Sequence, residues 1–405
     1  MSLYYDEGEP EEPEEPEEPE EPEEPEEPEE PGHSGGSSSS GGGSSSTGSK
    51  TETTVNPDGS STTTVTRPNG TVTETTKNPD GSREVVESKP DGTVTTTVTD
   101  KAGNQTETVE QPDGSSQTTV ANADGSGSVT AVSEDGTVTS SVQLSAAAVE
   151  SASGGAVALP MPEVPVTADR AGAPTVTVDL PTGASVKVEI PVADVTPGTV
   201  AVLVHADGSE QVLRTSLTTD TGVTVSLGDG DTVKIVDNSK SFSDVNASYW
   251  AADAIAFTTS RELFAGTSQT TFNPAGTANR QQVWMILARL DGGAPADMAA
   301  AKAWAVDSGI SDGSNPTGAI TRQQLASMLY RYAASRGHGF TGQWAFLLDY
   351  SDAGQVSGYA YEAMCWMTMH GIIGGTTRGT LEPQAPATRA QMAAILQRFV
   401  EAING

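Results

Sequence analysis

Glycines recur at a fixed interval of eleven residues in the part of the chain that follows its acidic N-terminus. They are Gly59, Gly70, Gly81, Gly92, Gly103, Gly114, Gly125 and Gly136. Most close a sequence such as Pro57-Asp58-Gly59, and stretches rich in Thr, Ser and Val separate them. Pro-Asp-Gly suits a tight turn and β-branched residues suit strands. The period therefore predicts one strand and one turn per repeat over residues 50–143.

Each predicted strand of this stalk offers only one or two valines, which are too few for a two-layer core. We therefore predict a thin β-meander or a repetitive β-fibre. A disordered, Thr-rich stalk that carries glycans is the alternative left open by composition. The turn aspartates suggest calcium, but the sequence lacks the Gly-Gly-x-Gly-x-Asp pattern of calcium-binding β-repeats, and we predict no metal there.

Residues 1–49 predict an acidic spacer. Proline occupies every third position from Pro10 to Pro31, which matches the three-residue turn of polyproline II. Residues 9–31 are thus a stiff rod or, alternatively, a charged disordered tail, and the Gly/Ser-rich residues 32–49 are a flexible linker. The segment holds 17 acidic residues and no Lys or Arg, half of the net charge of −34. So acidic a chain should repel nucleic acid and anionic lipid, and we predict no nucleic-acid partner.

Several classes of protein are excluded by residue content. The single cysteine, Cys365, forms no internal disulfide, and the four histidines lie too far apart for a zinc motif, so we predict no metal and no cofactor. No apolar run approaches 18 residues, which predicts no membrane insertion. The first residues lack the basic and apolar regions of a signal peptide, although the rest has an extracellular composition. We therefore expect a C-terminal fragment, or a true start that lies upstream.

Alternating apolar residues predict a compact all-β domain over residues 161–238, after a linker of small residues at 144–160. The alternation is clear in residues 175–180, 186–190, 200–204 and 233–236. About six short strands separated by Gly-containing turns predict a small β-sandwich or barrel. We find no paired catalytic carboxylates and no nucleophile motif in this region.

The hydrophobic period changes to 3.6 in residues 239–405, where three helices begin with related sequences. These are Asn279-Arg280-Gln281-Gln282, Thr321-Arg322-Gln323-Gln324 and Thr388-Arg389-Ala390-Gln391. Asn or Thr followed three residues later by Gln predicts a capping box, and an apolar stripe follows each one. A second helix and a Gly-containing turn precede each start, with Gly266, Gly313 and Gly375 in equivalent places. The sequence thus predicts three α-helical repeats at about 241–290, 291–337 and 338–405.

These motifs resemble the S-layer homology (SLH) domain over roughly the last 165 residues. The matching segments are Phe242-Ser243-Asp244-Val245, Trp250-Ala251-Ala252-Asp253-Ala254-Ile255, Thr271-Phe272-Asn273-Pro274 and the three Arg-containing helix starts. The resemblance implies a pseudo-threefold helical spindle. It also implies binding to a secondary cell-wall polymer, often with pyruvylated sugars, at the surface of Gram-positive bacteria and their relatives. Cell-wall polysaccharide is therefore the expected partner, and the cell wall or S-layer the expected location.

The resemblance also assigns site residues. In the family the helix-start Arg, the early Asp and the turn glycines line the binding grooves. The corresponding residues here are Asp244, Gly266, Arg280, Gly313, Arg322, Asp352, Gly375 and Arg389, together with Trp250 as a surface on which a sugar ring can stack. The three helix starts carry Gln where the family has Glu, Glu262 replaces the usual Gly, and repeat two lacks the aromatic-x-Asp opening. Repeat three is the most intact, which predicts Arg389 as the main contact, at an exposed helix start.

The chemistry of the helix starts favours an acidic ligand independently. A helix N-terminus offers free N–H groups and partial positive charge, and Arg adds a planar fork that matches a carboxylate. The alternative is structural: the arginines pair with Asp244 or Asp352 and hold the helix starts in place. The aromatic residues Trp250, Phe257, Trp304 and Trp366 are expected mainly in the core, and sugar stacking is the alternative for Trp250.

The sequence as a whole predicts a multidomain chain with a non-catalytic wall-binding module. From the N-terminus it comprises a polyproline II or disordered tail, a repetitive β stalk, a small all-β domain and the three-repeat helical module. The expected function is anchoring, with the stalk as a spacer. The alternative is the C-terminal part of a wall-anchored enzyme whose catalytic domain lies upstream.

Overall fold

The computed structural model of the protein describes residues 48–405, with the exception of residues 182, 184, 343 and 377. The predicted rod of residues 9–31, and the linker up to residue 47, lie outside the described residues.

Nine strands of six residues form the β-meander that the eleven-residue period predicts. Each pairs antiparallel with the next strand of the sequence. They are β1 (Lys50–Val55), β2 (Ser61–Thr66), β3 (Val72–Lys77), β4 (Arg83–Ser88), β5 (Val94–Thr99), β6 (Gln105–Glu110), β7 (Ser116–Ala121), β8 (Gly127–Val132) and β9 (Val138–Gln143). Six strand residues and five turn residues account for the period of eleven.

The turns of the meander share one geometry. In the first, Gly59 has φ +85°, its N–H donates to the carbonyl oxygen of Asn56 at 3.0 Å, and Asp58 Oδ1 accepts the N–H of Ser60 at 2.9 Å. Only glycine adopts this left-handed conformation without strain, which explains why it recurs at every turn.

The meander is a single layer with little core. Most of its side chains are half-buried or exposed, and hydroxyl pairs such as Thr62–Thr76 (3.0 Å) and Thr108–Thr118 (3.0 Å) bridge neighbouring strands. Backbone ladders and cross-strand pairs therefore hold most of the sheet. Its last strand, β9, buries Val138 and Val142 in the core of the next domain.

The all-β domain continues the stalk sheet. It begins with helix α1 (Ala146–Ser151) and contains β10 (Val157–Ala158), β11 (Thr175–Asp179), β12 (Ser185–Pro191), β13 (Thr199–Val204), β14 (Glu210–Val212), β15 (Leu217–Thr218), β16 (Gly222–Gly228) and β17 (Asp231–Asp237). β9 pairs parallel with β11, which gives a 13-stranded sheet in the order β1 to β9, β11, β17, β13, β14. A second sheet, β10-β12-β16-β15, shares its apolar core. The domain is therefore a sandwich with one sheet extended by the stalk.

The segment 144–160 differs from the predicted linker. The Ser145 side chain accepts the N–H of Ala148 and caps α1, and β10 pairs parallel with β12. Leu144, Val157 and Leu159 are buried in the core of the sandwich. Small residues here pack against the sheets and belong to the domain.

Residues 239–405 are helical, with one pair of principal helices per repeat. They are α2 (Ala252–Ser260), α3 (Arg280–Leu290), α4 (Met298–Asp307), α5 (Arg322–Ser335), α6 (Tyr361–Met369) and α7 (Arg389–Asn404), with short 3₁₀ turns at Ala353–Gln355 and Gly358–Ala360. The capping boxes predicted at Asn279, Thr321 and Thr388 are confirmed, each with both reciprocal hydrogen bonds. Phe257 and Trp366 are buried as expected, whereas Trp250 is 62% exposed.

The starts of α3, α5 and α7 meet in a closed ring of backbone hydrogen bonds. The N–H of Ala278 donates to Ala387, that of Ala387 to Ile320, and that of Ile320 to Ala278, at 2.9, 2.9 and 3.0 Å. Each repeat therefore contacts both of the others at the point where its second helix begins.

The β-sandwich packs on repeat one through a buried arginine. Arg261, fully buried at the end of α2, donates to the carbonyl oxygens of Ser216 (2.8 Å) and Pro197 (3.1 Å) in the sandwich. Leu217 of β15 lies in the core of the helical repeats. The two domains thus share buried contacts.

Candidate functional site

The helix-start arginines reach from their own repeat into the turn of another. Arg389 of repeat three donates from Nε to the carbonyl oxygen of Phe272 (2.8 Å) and from NH2 to that of Ala265 (2.7 Å) in repeat one. Its guanidinium carbon lies 4.3 Å from the ring centre of Phe264 and 4.5 Å from that of Phe272. Arg389 is only 3% exposed, so the expectation of an exposed helix start is wrong. Burial lowers its pKa to about 10, an effect that Asp244 opposes.

Arg322 repeats this arrangement one step around the ring. It donates from Nε to the carbonyl oxygen of Leu381 (2.8 Å) and from NH2 to that of Gly374 (3.0 Å), both in repeat three. Burial lowers its pKa, against the opposing charges of Glu382 and Asp352. Each of these arginines therefore binds the turn of the following repeat. Arg389 contacts the turn that contains Gly266 and is bound by Asp244. Among the described residues it forms no hydrogen bond with the turn of its own repeat, which contains Gly375 and is bound by Asp352.

The opening aspartates hold the same turns from the other side. Asp244 accepts the N–H groups of Phe272 (2.8 Å) and Asn273 (2.6 Å), and Asp352 accepts those of Leu381 (2.8 Å) and its neighbour Glu382 (2.8 Å). The amide hydrogen bond from Phe272 is the main cause that lowers the pKa of Asp244. One peptide strand thus has its N–H bound by Asp and its C=O bound by Arg.

The turn glycines make room for the aromatic residue of the opening motif. A Cβ atom on Gly266 would lie 2.6 Å from the Phe242 ring, and one on Gly375 would lie 2.6 Å from the Tyr350 ring. In repeat two, Gly313 has φ +69° instead, and five residues are missing between it and Ser314 relative to the other two turns. The missing opening motif and the short turn therefore occur together.

Arg280 faces this short turn and has different partners. Its NH2 group donates to the Asp312 carboxylate at 2.9 Å and to Ser311 Oγ at 3.3 Å, and its buried Nε has no hydrogen-bond partner among the described residues. The carbonyl contact that Arg389 and Arg322 make through Nε is lost because the turn of repeat two follows a different path.

Three grooves lie beside these turns, and each is lined by a second arginine that the sequence analysis missed. These are Arg289, Arg331 and Arg398, each nine residues after a helix-start arginine. Each donates from NH1 to a carbonyl oxygen just before the turn glycine: Arg398 to Ile372 (3.3 Å), Arg331 to Ile310 (3.0 Å), and Arg289 to Glu262 and Leu263 (both 3.2 Å). The constant spacing between paired arginines was a signal available in the sequence.

Groove A, of about 450 Å³, brings together predicted residues from all three repeats. Trp250 of repeat one, Arg322 of repeat two and Gly375 of repeat three line it, with Arg398 at its side. The exposed indole of Trp250 offers a flat apolar surface beside two cations. Neither Arg322 nor Arg398 forms an ion pair with a carboxylate among the described residues.

Groove B and groove C are built from equivalent elements. Groove B, of about 350 Å³, contains Arg280, Arg331, Asp312 and the exposed Tyr359 in the place of Trp250. Groove C, of about 570 Å³, contains Gly266 and Arg289. Of the predicted residues, Trp250, Arg322 and Gly375 therefore meet in one groove, while Gly266 and Arg280 line the other two. Asp244, Gly313 and Arg389 are not among the residues that line grooves A, B and C, and Asp352 lines a separate cavity of about 320 Å³ beside its turn.

Two segments of this region match a known family model. The family model of the S-layer homology domain matches residues 241–283 and 349–393, which lie in repeats one and three. An endoglucanase of Bacillus sp. (strain KSM-635) is 26% identical over 196 residues, covering 44% of this chain and 20% of the relative. Exoglucanase XynX of Acetivibrio thermocellus is 26% identical over 190 residues, covering 42% of this chain and 17% of the relative. The chain thus spans about a fifth of the length of these relatives. None of the helices in the described part of the chain is long and apolar enough to cross a membrane.

Proposed function

We propose that this chain, which carries S-layer homology repeats in its C-terminal region, docks without a covalent bond onto a secondary cell-wall polysaccharide through the grooves between its repeats. The three repeats then form a pseudo-threefold spindle, as the closed ring of backbone hydrogen bonds among the helix starts suggests. Groove A carries the proposal, because residues from three repeats that are distant in sequence converge there.

The residues of groove A suit a sugar that carries an acidic group. A sugar ring has an apolar face that can stack on the exposed Trp250, and a carboxylate can accept paired hydrogen bonds from a guanidinium. Arg322 and Arg398 supply that positive charge on a protein whose net charge is −34. A pyruvylated sugar combines both features, and we propose it as the ligand class.

The stalk then acts as a spacer between the wall module and whatever lies before it in the chain. Nine strands at roughly 4.8 Å spacing extend about 40 Å across the sheet. Because β9 joins the sandwich sheet through β11, the stalk continues a folded domain and is not joined to it by a hinge.

Sedimentation with bacterial wall sacculi tests the proposal. The full chain should co-sediment with native sacculi that bear the secondary polymer and remain in solution with sacculi stripped of it. Trp250→Ala should weaken binding about 5- to 30-fold, since the lost stacking corresponds to about 1–2 kcal/mol. Leu347→Ala removes another exposed hydrophobic side chain and should leave binding unchanged. Equal binding to stripped sacculi, or a Trp250→Ala variant that binds as well as wild type, would contradict the proposal.

We also propose that the chain itself does not catalyse hydrolysis, although both relatives are named as glucanases. Among the described residues, the ionisable groups of the grooves are mostly arginines, and groove B pairs its Asp312 with Arg280. Release of reducing ends from carboxymethylcellulose or xylan by the purified chain, above that of a Trp250→Ala control, would overturn this view. In that case the chain would be an active part of a wall-anchored glucanase.

A further inference from the structure

Groove C differs from the other two because the β-sandwich helps to build it. Its repeat-derived residues, Gly266 and Arg289, have counterparts in groove A, namely Gly375 and Arg398. Arg214, from the loop between β14 and β15, and Lys240, from the segment that joins the domains, line it as well. With a volume of about 570 Å³ it is the largest of the three grooves and within the usual range of ligand sites.

The structure fixes Arg214 in the groove. Its NH1 group donates to the carbonyl oxygens of Arg289 (2.9 Å) and Gly293 (3.1 Å) at the end of α3. Its Nε is buried and has no hydrogen-bond partner among the described residues. Arg261 holds the sandwich against repeat one nearby, so the position of Arg214 follows from the domain interface.

The positive charge of groove C is only partly offset within the described part of the chain. None of Arg214, Lys240 and Arg289 forms an ion pair there. The one acidic residue that lines the groove, Glu262, lies 3.7 Å from Arg170 instead. Burial, and then repulsion by the neighbouring charge of Arg214, lower the pKa of Arg289, an effect that Glu262 opposes. A bound anion would relieve that repulsion.

The other two grooves contain fewer cationic side chains than groove C. Groove B has two arginines, and the Asp312 carboxylate pairs with one of them at 2.9 Å. Groove A has two arginines and the Trp250 ring. Groove C has three cations, one acidic residue (Glu262) and the rings of Phe242 and Phe264. Groove C therefore has more cationic side chains than either of the other two grooves.

We propose that groove C is a composite anion-binding subsite in which Arg214 of the neighbouring domain and Lys240 of the joining segment, together with Arg289, bind an acidic group of a saccharide. The proposal rests on the proposed wall-binding function and adds that the repeats alone form an incomplete site. The acidic group is a carboxylate, as in a pyruvylated sugar, or a phosphate, as in a polyol-phosphate wall polymer; both present the negative oxygens that these side chains bind.

Calorimetric titration of the full chain tests the composite subsite. The probes are the purified secondary polymer, the same polymer after mild-acid removal of its pyruvyl groups, and a polyol-phosphate polymer. The variants are Lys240→Gln, Lys240→Arg, Arg214→Gln and the Gln double variant. Lys101→Gln is the matched control, because it removes the same charge from an exposed stalk turn.

Lys240→Gln should weaken binding of the native polymer about tenfold, and the double variant should weaken it further, with a smaller dependence of affinity on salt. Lys240→Arg should restore binding, and Lys101→Gln should change nothing. Sensitivity that disappears with the depyruvylated polymer identifies the carboxylate as the ligand, and sensitivity to the same variants with the phosphate polymer identifies the phosphate. Lys240 is exposed, so its variants keep the test valid if Arg214→Gln disturbs folding.

Two results overturn the subsite. If Lys240→Gln and the folded double variant bind all three polymers as wild type does, while Trp250→Ala still weakens binding, groove C is not a ligand site and the proposed function stands. If the wild-type chain binds none of the polymers, the proposed function fails together with the subsite.

Discussion

Arg389 is placed by its sequence motif at the start of a helix, yet its side chain points into the neighbouring repeat. Its guanidinium lies against Phe264 and Phe272 and donates to two backbone carbonyls of repeat one, while Asp244 binds the N–H groups of the same turn. The arginine thus holds a turn beside a groove in place, and its main role is to stabilise the fold. The structural alternative had the helix-start arginines pair with Asp244 or Asp352, whereas Arg389 binds backbone carbonyls of the turn that Asp244 also binds.

Replacing Arg389 should therefore destabilise the protein. Arg389→Ala removes two charge-assisted hydrogen bonds and a cation–π contact, and leaves buried carbonyl groups without donors, which we expect to lower the free energy of unfolding by about 2–4 kcal/mol. Arg389→Lys should recover only part of the lost free energy of unfolding, because an ammonium group cannot donate to both carbonyls as the planar guanidinium does. Urea unfolding followed by circular dichroism measures both. Arg398→Ala, an exposed residue of the same helix, is the control and should lose less than about 1 kcal/mol; equal losses for the two variants would show that Arg389 has no special structural role.

Elements of the stalk depend on the chemistry of their turns as much as on their strands. Asp58 accepts hydrogen bonds from the side chain and the backbone N–H of Ser60, and these lower its pKa from the ordinary value of 3.8. Hydrogen bonds from neighbouring turn residues likewise lower the pKa of Asp80, Asp91, Asp100, Asp113 and Asp135. In the second turn Asn69 makes the same backbone contact, to Thr71, with a group that carries no charge.

The stalk should consequently lose stability in acid. A carboxyl group whose pKa is lower in the folded state stabilises the fold above its unfolded pKa, and that contribution disappears as the pH falls below about 3.8. We expect the β signal of the full chain in circular dichroism to weaken at higher pH in wild type than in a variant with Asn at Asp58, Asp80, Asp91 and Asp113. A variant with the same number of strand glutamates changed to Gln should follow wild type. Coincident acid transitions of wild type and the Asn variant would refute the role of the turn carboxylates.

Local motifs in the sequence predicted the helices, strands and turns. Contacts between elements that are distant in sequence could not be predicted from it. A capping box involves residues three positions apart, and a hairpin turn involves five, so Thr388 and Gly59 could be assigned directly. The partner of Arg389 lies more than 110 residues away, and its identity depends on the order of the repeats around the ring. The parallel pairing of β9 with β11 and the contribution of Arg214 to groove C are non-local in the same sense.

At the scale of the whole molecule, the sandwich and the helical repeats share a buried interface. Arg261 is fully buried, and its charge faces carbonyl oxygens of Ser216, Pro197 and Thr199. Burial lowers its pKa to about 9, an effect that Glu401 opposes. Leu217 of the sandwich completes the helical core. The change in hydrophobic period at Ser239 therefore marks a change of fold class, and buried contacts extend across it.

Removing the sandwich should weaken the helical repeats although their own core is intact. A fragment of residues 239–405 loses the carbonyl acceptors of Arg261 and the apolar contact of Leu217, and we expect its helices to unfold at a temperature about 5–15 °C below that of residues 127–405. We still expect a cooperative transition, because three apolar stripes and the ring of helix starts remain. Thermal melting followed by the helical signal in circular dichroism measures the difference.

The control is the full chain compared with residues 127–405. These two should melt at the same temperature, because the first seven stalk strands are absent from the core of the helical repeats. If residues 239–405 melt at the same temperature as residues 127–405, the interface at Arg261 contributes nothing to stability.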